Sequence, residues 1–264
     1  MKPVACPPFA EQTTLDFMGR RCGVTDLSHV IAPDDPTFVG HQRTLVWQHL
    51  THEETQRLGL TKPSYSYQVV GFTLCDHSST HVDAINHVVD RPDARSVDRL
   101  PLEWFMAPGV WLDLAHKAPN AYVTRDDVDR EIERAGVTIR PRSVVLYHTG
   151  WYRKFRTDRF GYVRDYPGLD RGATERLNDL GAISIGADAP SIDAWIEVAE
   201  VKVQPAHMVC REREILNIEN LANVDKIPAR SFWFVGLPLK IKGGSGSPFR
   251  AVALVDLGPA QAEG

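Results

Sequence analysis

Short apolar runs bounded by turn-forming residues divide most of the chain into predictable elements. The runs 109–114, 143–147 and 182–186 are rich in β-branched, aliphatic and aromatic residues, and runs of this length and composition are typical of interior strands. Because these runs are mostly apolar and do not alternate regularly with polar residues, we expect the sheet that they form to be covered by other elements.

Two amphipathic stretches between these runs predict helices. Residues 124–136 begin with a threonine that can cap the helix, carry acids in the first turn and end at a glycine, as surface helices do. Residues 172–180 repeat apolar side chains at helical spacing before another glycine. The runs 232–236 and 251–255 add two strands, joined by a loop rich in Gly and Ser at 243–246, which we interpret as a flexible pocket rim.

This alternation of strands and helices is typical of an α/β protein. A chain of 264 residues can bury a substantial core, and it shows no internal repeat, so we interpret residues 1–264 as one domain. Residues 1–22 are expected to form an irregular N-terminal extension. The composition, with 43% hydrophobic and 24% charged residues, excludes disordered and collagen-like classes.

Charge and cysteine usage narrow the environment and the partners. The formal net charge is −4, and Lys and Arg are scattered along the chain instead of forming the basic surface that nucleic acid requires. No apolar run is long enough to cross a bilayer, and the first residues lack the apolar region of a signal peptide. The four cysteines form no close pair and are expected to be reduced. We therefore expect a cytoplasmic protein that binds a small molecule, without nucleic-acid or membrane partners.

The segment 75–87 concentrates reactive side chains, with three of the ten histidines and two acids. His77 and His81 are four residues apart, as ligands on one helical face would be, but Asp83 would then point to the far side of the helix. If the chain is extended from His81 onward, Asp83 and His87 emerge on the same face. A turn after His77 can then fold this residue back toward them.

Imidazoles and a carboxylate in this arrangement form a ligand set for Zn²⁺, Mn²⁺ or Fe²⁺. Two histidines and one acid leave coordination positions open for water and substrate, which favours catalysis over a purely structural metal. Single histidines more often make ordinary hydrogen bonds in the core or at the surface. The same ligand set also occurs in iron oxygenases, so the spacing alone does not select hydrolysis.

The segment resembles the signature of the metal-dependent cyclase family, which includes the bacterial-type kynurenine formamidases and the isatin hydrolases. The signature is H-x-G-T-H-x-D-x-P-x-H, and residues 77–87 match its histidines, threonine and aspartate. Ser79 stands at the glycine position and Ile85 at the proline position. We therefore expect the tight turn and the exit from the segment to be built differently in this chain.

Further blocks similar to the family follow in the same order, namely D-L-S-H at 26–29, H-T-G-W at 148–151, G-A-D-A-P-S-I-D at 186–193 and E-N-L at 219–221. The resemblance implies a single domain with a mixed, curved β-sheet of the swivelling β/α/β type and flanking helices. It also implies a homodimer or a homotetramer. Polar residues after a predicted strand end are expected to support the site: Asp188, Ser191 and Asp193.

The resemblance also implies five metal ligands: His77, His81, Asp83, His207 and Glu219. The last two fall where the formamidase branch completes a second metal position. Glu212 and Glu214 are nearby competitors for the role of the carboxylate in the E-N-L block. The implied cofactor is a divalent metal, Zn or Mn, as one or two ions.

The resemblance implies roles for two further residues, with His87 as the general acid/base and Phe38 as an aromatic that stacks on the substrate. The implied function is hydrolysis of an amide-type C–N bond in a small cyclic amide or imide, or in an arylformamide, by metal-activated water. Lactone hydrolysis or cyclisation at the same site, dioxygen activation by Fe²⁺ and metal binding without catalysis are alternatives that these residues leave open.

Overall fold

A computed structural model describes residues 10–196, 199–200 and 202–260 of the chain. Its strands are β1 (Gln12–Phe17), β2 (Arg20–Asp26), β3 (Leu45–Leu50), β4 (Val69–Thr73), β5 (His81–Asp83), β6 (Met106–Asp113), β7 (Tyr122–Val123), β8 (Ser143–His148), β9 (Gly168–Leu169), β10 (Ala182–Ala187), β11 (Leu216–Glu219), β12 (Ser231–Val235), β13 (Gly246–Pro248) and β14 (Val252–Pro259). Its α-helices are α1 (His52–Arg57), α2 (Ile85–Val88), α3 (Arg125–Ala135), α4 (Lys154–Thr157), α5 (Arg159–Tyr162), α6 (Arg171–Asp179) and α7 (Pro205–Arg213).

Ten of the strands form one mixed sheet in the order β1-β2-β14-β12-β6-β8-β10-β11-β5-β13. The centre, from β6 to β11, is parallel, and the strands on both sides of it pair antiparallel. The predicted strands β6, β8 and β10 are direct neighbours in this centre. The mixed α/β fold predicted from the sequence is confirmed.

Alternate side chains of the central strands feed two separate hydrophobic clusters. On β8, Val144 and Leu146 belong to one cluster, and Val145 and Tyr147 to the other. Because successive side chains of a strand point to opposite faces, the two clusters lie on opposite sides of the sheet. Both sides are covered, as the mostly apolar runs predicted.

The predicted helices end within two residues of the expected positions, which is the usual uncertainty of a helix terminus. Thr124 and Asp127 form a capping box at the start of α3, and Gly136 ends it in the left-handed conformation. α6 begins after Asp170, whose side chain accepts the N–H of Ala173. Among the described residues, no helix has the length and hydropathy needed to span a bilayer.

The prediction of an irregular extension over residues 1–22 is wrong for the part that the structure describes. β1 pairs antiparallel with β2 along its whole length, and Met18 and Gly19 join the strands with φ of +49° and +76°, as in a tight hairpin turn. Every residue of β1 is exposed, so no alternation of burial marks it as a strand. Residues 1–9 lie outside the described residues.

Gly168 lies where β9 meets the segment that carries Asp193. A Cβ atom added to Gly168 would be 2.1 Å from the carbonyl carbon of Asp193. Because backbone cannot move aside as a flexible side chain can, we expect Gly168→Ala to lower the free energy of unfolding by about 1–3 kcal/mol. Urea unfolding measures this change.

Gly172→Ala is the matched control, because the nearest neighbour of its Cβ would be Oδ1 of Asp170 at an ordinary 3.5 Å. Gly172 lies in α6, where alanine is favoured over glycine by up to about 1 kcal/mol. The control is expected to be as stable as the wild type or more stable. A Gly168→Ala protein with wild-type stability would contradict the packing described for β9.

Candidate metal centre and active site

Two neighbouring strands bring the first three groups of the site together. β5 carries His81 and Asp83 two residues apart, so their side chains share a face. β11 runs antiparallel to β5 and places Glu219 directly opposite His81. Nε2 of His81 lies 3.3 Å from Oδ1 of Asp83 and 3.5 Å from Oε2 of Glu219. The structure thus has the extended conformation predicted for the chain from His81 to Asp83.

A tight turn before β5 returns His77 to the same place. Ser79 has a φ of +55°, in the left-handed region that glycine adopts more easily, so the serine forms the turn that the family builds with glycine. Oγ1 of Thr80 donates to the carbonyl of Asn220 at 2.5 Å, which ties the turn to the end of β11. Nδ1 of His77 consequently lies 2.7 Å from Oδ1 of Asp83.

His87 reaches the site from a short helix, so the prediction that it continues the extended chain is wrong. α2 begins at Ile85, and the N–H of His87 donates to the carbonyl of Ala84. Asp83 is the last residue of β5 and lies outside this helix, yet the short helix brings Nε2 of His87 to 3.9 Å from Oδ2 of Asp83. Ile85, at the family's proline position, is the first residue of the helix, where proline is favoured, and its side chain packs in the core.

Helix α7 supplies another imidazole through an aspartate that caps the helix. Asp193 accepts the N–H of Ala206 at 2.6 Å, and Nδ1 of His207 lies 2.5 Å from the same carboxylate. With its proton on Nδ1, His207 presents the lone pair of Nε2 to two acids, Oδ2 of Asp83 and Oε1 of Glu219, each at 3.5 Å. Asp193 therefore orients His207, as metal-binding histidines are commonly oriented by a carboxylate.

In His81, as in His207, one ring nitrogen donates a hydrogen bond and the other faces the carboxylates. Nδ1 lies 2.9 Å from the carbonyl of Ser79, to which it can only donate, so the neutral ring presents the lone pair of Nε2 to Asp83 and Glu219. Nε2 of His81 and Oε1 of Glu219 are buried, and neither makes an aligned hydrogen bond within the described parts of the chain. Buried lone pairs that face one another are costly unless a cation lies between them.

The buried charges perturb one another strongly. Burial alone raises the pKa of Asp83, but the imidazoles around it outweigh burial and hold that pKa well below its usual value. Burial and the neighbouring Asp83 raise the pKa of Glu219 to about 7. Burial lowers the pKa of His81, but Asp83 and Glu219 more than compensate and raise it to about 9. The site attracts positive charge, either protons or a metal.

The residues that can hold a metal form two groups around a shared carboxylate, with the candidate ligand atoms of each group within 4.8 Å of one another. The first group is His77, Asp83 and His87, and the second is His81, Asp83 and Glu219. Imidazole nitrogens and carboxylate oxygens suit Zn²⁺ and Mn²⁺, and the facing lone pairs described above fit a cation. Four of the five predicted ligands fall in these groups, together with His87 as a further possible ligand. The fifth, His207, lies outside both groups but has Nε2 3.5 Å from oxygens of Asp83 and Glu219.

The two competing glutamates lie elsewhere. Glu212 pairs with Arg171, and Glu214 pairs with Arg91 and Arg95. Glu219 is therefore the glutamate of this region whose carboxylate faces the histidines.

A cavity of about 210 Å³ opens above the metal ligands. Its lining combines five histidines, Glu219 and other polar groups with an apolar wall of Pro36, Phe38, Val163 and Pro190. The ring of Phe38 lies 5.4 Å from the ring of His41, which lies 5.8 Å from the ring of His77. The structure thus places Phe38 in the wall of the cavity, where the ring of His41 lies between it and the metal ligand His77.

One close contact of the site had no signal in the local sequence. Oγ of Ser245 lies 2.9 Å from Nε2 of His77, although 168 residues separate the two. The sequence placed Ser245 in a flexible rim, and only the pairing of β13 with β5 brings it to the histidine.

Curated proteins of similar sequence are hydrolases. The kynurenine formamidase of Maricaulis maris is 29% identical over 227 residues, which cover 86% of this chain and 95% of that enzyme. The isatin hydrolase of Roseibium aggregatum is 27% identical over 202 residues, which cover 73% of this chain and 75% of that enzyme.

Solved structures show the same fold. Isatin hydrolase A from Ralstonia solanacearum matches with a TM-score of 0.77 at 26% identity, covering 89% of this chain and 92% of that one. An isatin hydrolase bound to the product analogue thioisatinate matches with a TM-score of 0.78 at 24% identity, covering 89% and 93%. The Cyclase family model matches residues 25–194, more than half of the 264 residues. This chain therefore belongs to the Cyclase family, as its histidine signature predicted.

Proposed function

We propose that this protein is a metal-dependent amidohydrolase that cleaves a non-peptide C–N bond. The observation that carries the proposal is the convergence of imidazole nitrogens on two buried carboxylates, Asp83 and Glu219, next to a small cavity with an apolar wall. The names of the curated relatives, kynurenine formamidase and isatin hydrolase, support hydrolysis over oxygen chemistry.

The cofactor that we propose is Zn²⁺ or Mn²⁺, as one or two ions held by His77, His81, Asp83, His207 and Glu219. Two ions are compatible with the two ligand groups that share Asp83; with His87 reserved for proton transfer, His77 and Asp83 are the protein ligands of the first group. A divalent metal bound there polarises a carbonyl and lowers the pKa of coordinated water, which are the two effects that amide hydrolysis requires.

His87 is the residue that we propose for proton transfer. Its side chain is 29% exposed, whereas those of His77, His81 and His207 are 8%, 2% and 7% exposed, so it is the imidazole of the site most open to the cavity. Partial burial lowers its pKa to about 4, and the ring is therefore neutral at pH 7. It can accept a proton from the attacking water and deliver it to the leaving nitrogen as the C–N bond breaks.

The shape of the cavity favours a small, planar, partly apolar substrate. Phe38 offers a ring face for stacking, and the remaining apolar wall is rigid because two of its members are prolines, Pro36 and Pro190. A cyclic amide or an arylformamide combines such a planar group with a carbonyl that can reach the metal ligands. The matching relatives act on substrates of these two kinds, as their names state.

Metal content and activity are expected to disappear together in His81→Ala. The purified wild-type protein should carry about one or two equivalents of Zn or Mn and hydrolyse isatin, N-formylkynurenine or both. His81→Ala removes a ligand of the buried site and should lose both properties. Elemental analysis and absorbance assays before and after chelation measure them.

His116→Ala is the control for that substitution, because His116 is an exposed histidine outside the site, and it should keep both metal and activity. Hydrolysis that survives chelation, or that survives in metal-free His81→Ala, would contradict a metal-dependent mechanism.

His87→Gln separates proton transfer from metal binding. If His87 moves the proton, kcat should fall by about 10²- to 10⁴-fold, with metal content unchanged and KM changed little. Steady-state kinetics and elemental analysis of the same preparation give the answer. Loss of metal in His87→Gln would make His87 a ligand instead, and an unchanged kcat would remove it from the mechanism altogether.

A further inference from the structure

The loop at 243–246 is anchored to the signature segment through Asp76. Oδ2 of Asp76 accepts three hydrogen bonds from the loop, from the N–H of Ser245 at 2.9 Å, from Oγ of Ser245 at 2.8 Å and from the N–H of Gly246 at 3.2 Å. β13 begins at Gly246 and pairs with β5. The interpretation of this loop as a flexible rim is therefore wrong, because both its backbone and its serine are tied to the segment that carries the ligands.

The serine connects this anchor to His77. The hydroxyl of Ser245 has a single proton, which it donates to Asp76. Toward Nε2 of His77, at 2.9 Å, the same oxygen can therefore only accept. Nε2 consequently carries a proton, and the lone pair of the neutral ring lies on Nδ1, which faces Oδ1 of Asp83 at 2.7 Å.

The ring of His77 is also held by close packing. A Cβ atom at Gly246 would lie 2.8 Å from Cε1 of His77 and 2.8 Å from the carbonyl of Val82, so only a glycine lets the strand approach the ring this closely. The side chain of His77 is 8% exposed. Hydrogen bonding on one nitrogen and packing against the strand thus fix the plane of the ring.

We propose that Asp76 and Ser245 are positioning residues that hold His77 in the tautomer and orientation needed to bind the metal, and so set the affinity of the site for it. This inference rests on the metal role of His77 in the proposed function. Neither residue lines the substrate cavity; each acts through His77, which does. Partners of this kind typically contribute 10- to 100-fold to metal affinity.

The test is metal affinity of the full chain, measured by competition with a coloured chelator after the protein is stripped and reloaded with Zn²⁺ or Mn²⁺. Ser245→Ala keeps the backbone N–H that Asp76 accepts but removes the hydroxyl. We expect affinity to fall by about 10- to 100-fold, while the Tm of the metal-free protein stays near that of the wild type. Ser245→Thr retains the hydroxyl and should restore most of the affinity.

Ser247→Ala, in the strand β13 that follows Ser245, is the matched control. The side chain of Ser247 is fully buried and accepts the N–H of Leu239 at 2.9 Å, away from His77. Its loss should lower the Tm of the metal-free protein and leave metal affinity within about twofold.

Asp76→Asn tests the acceptor to which Ser245 donates. Its effect on metal affinity should not add to that of Ser245→Ala, because both substitutions act through one chain of hydrogen bonds.

Unchanged affinity in both Ser245→Ala and Asp76→Asn would overturn the inference and leave the proposed function intact, since the wild type would still bind metal. An equal loss in Ser247→Ala and Ser245→Ala, or a full sum of losses in the double variant, would overturn it as well. A wild-type protein that binds neither metal would overturn the proposed function itself.

Discussion

The buried carboxylate of Asp83 is the group on which the rest of the site depends. Imidazole nitrogens of four histidines face its two oxygens, at 2.7 Å for His77, 3.3 Å for His81, 3.5 Å for His207 and 3.9 Å for His87. A carboxylate with 4% of its side chain exposed is costly to bury unless positive charge compensates it. That requirement explains why so many imidazoles converge there and why a divalent cation suits the place.

The mixed sheet makes this convergence possible. An antiparallel strand, β5, follows the parallel centre and pairs with β11, so that Glu219 comes opposite His81. Helix α7 presents His207 to the same carboxylates, and Asp193 sets the orientation of this histidine. Each ligand is therefore supported by backbone pairing or by a hydrogen-bonded carboxylate, and rigid support of this kind is what precise metal geometry requires.

The sequence predicted what local spacing and periodicity encode. His81 and Asp83 lie two residues apart on a strand, and the runs at 143–147 and 182–186 are interior strands, because burial on both faces leaves a mostly apolar pattern. The start and end of α3 were predicted because its caps are local. The relative positions of distant segments came only from resemblance to a family.

Local signals failed where the determining contact is remote or where the backbone changes its conformation within a few residues. β5 ends at Asp83 and α2 begins at Ile85, so alternation along a strand was no guide to the position of His87. The anchor of the 243–246 loop joins residues 169 apart in the chain, and no local pattern marks it. β1 is exposed along its whole length and carries no alternation that would identify a strand.

The most direct test of the central claim, that Asp83 organises a metal centre, is anomalous diffraction from crystals of the purified protein, with data collected on both sides of the Zn and Mn absorption edges. The account predicts an anomalous peak at one of these edges beside Asp83, within coordination distance of His81 and Glu219 and, for a second ion, of His77. Crystals of the active protein with no anomalous peak at this carboxylate would contradict it.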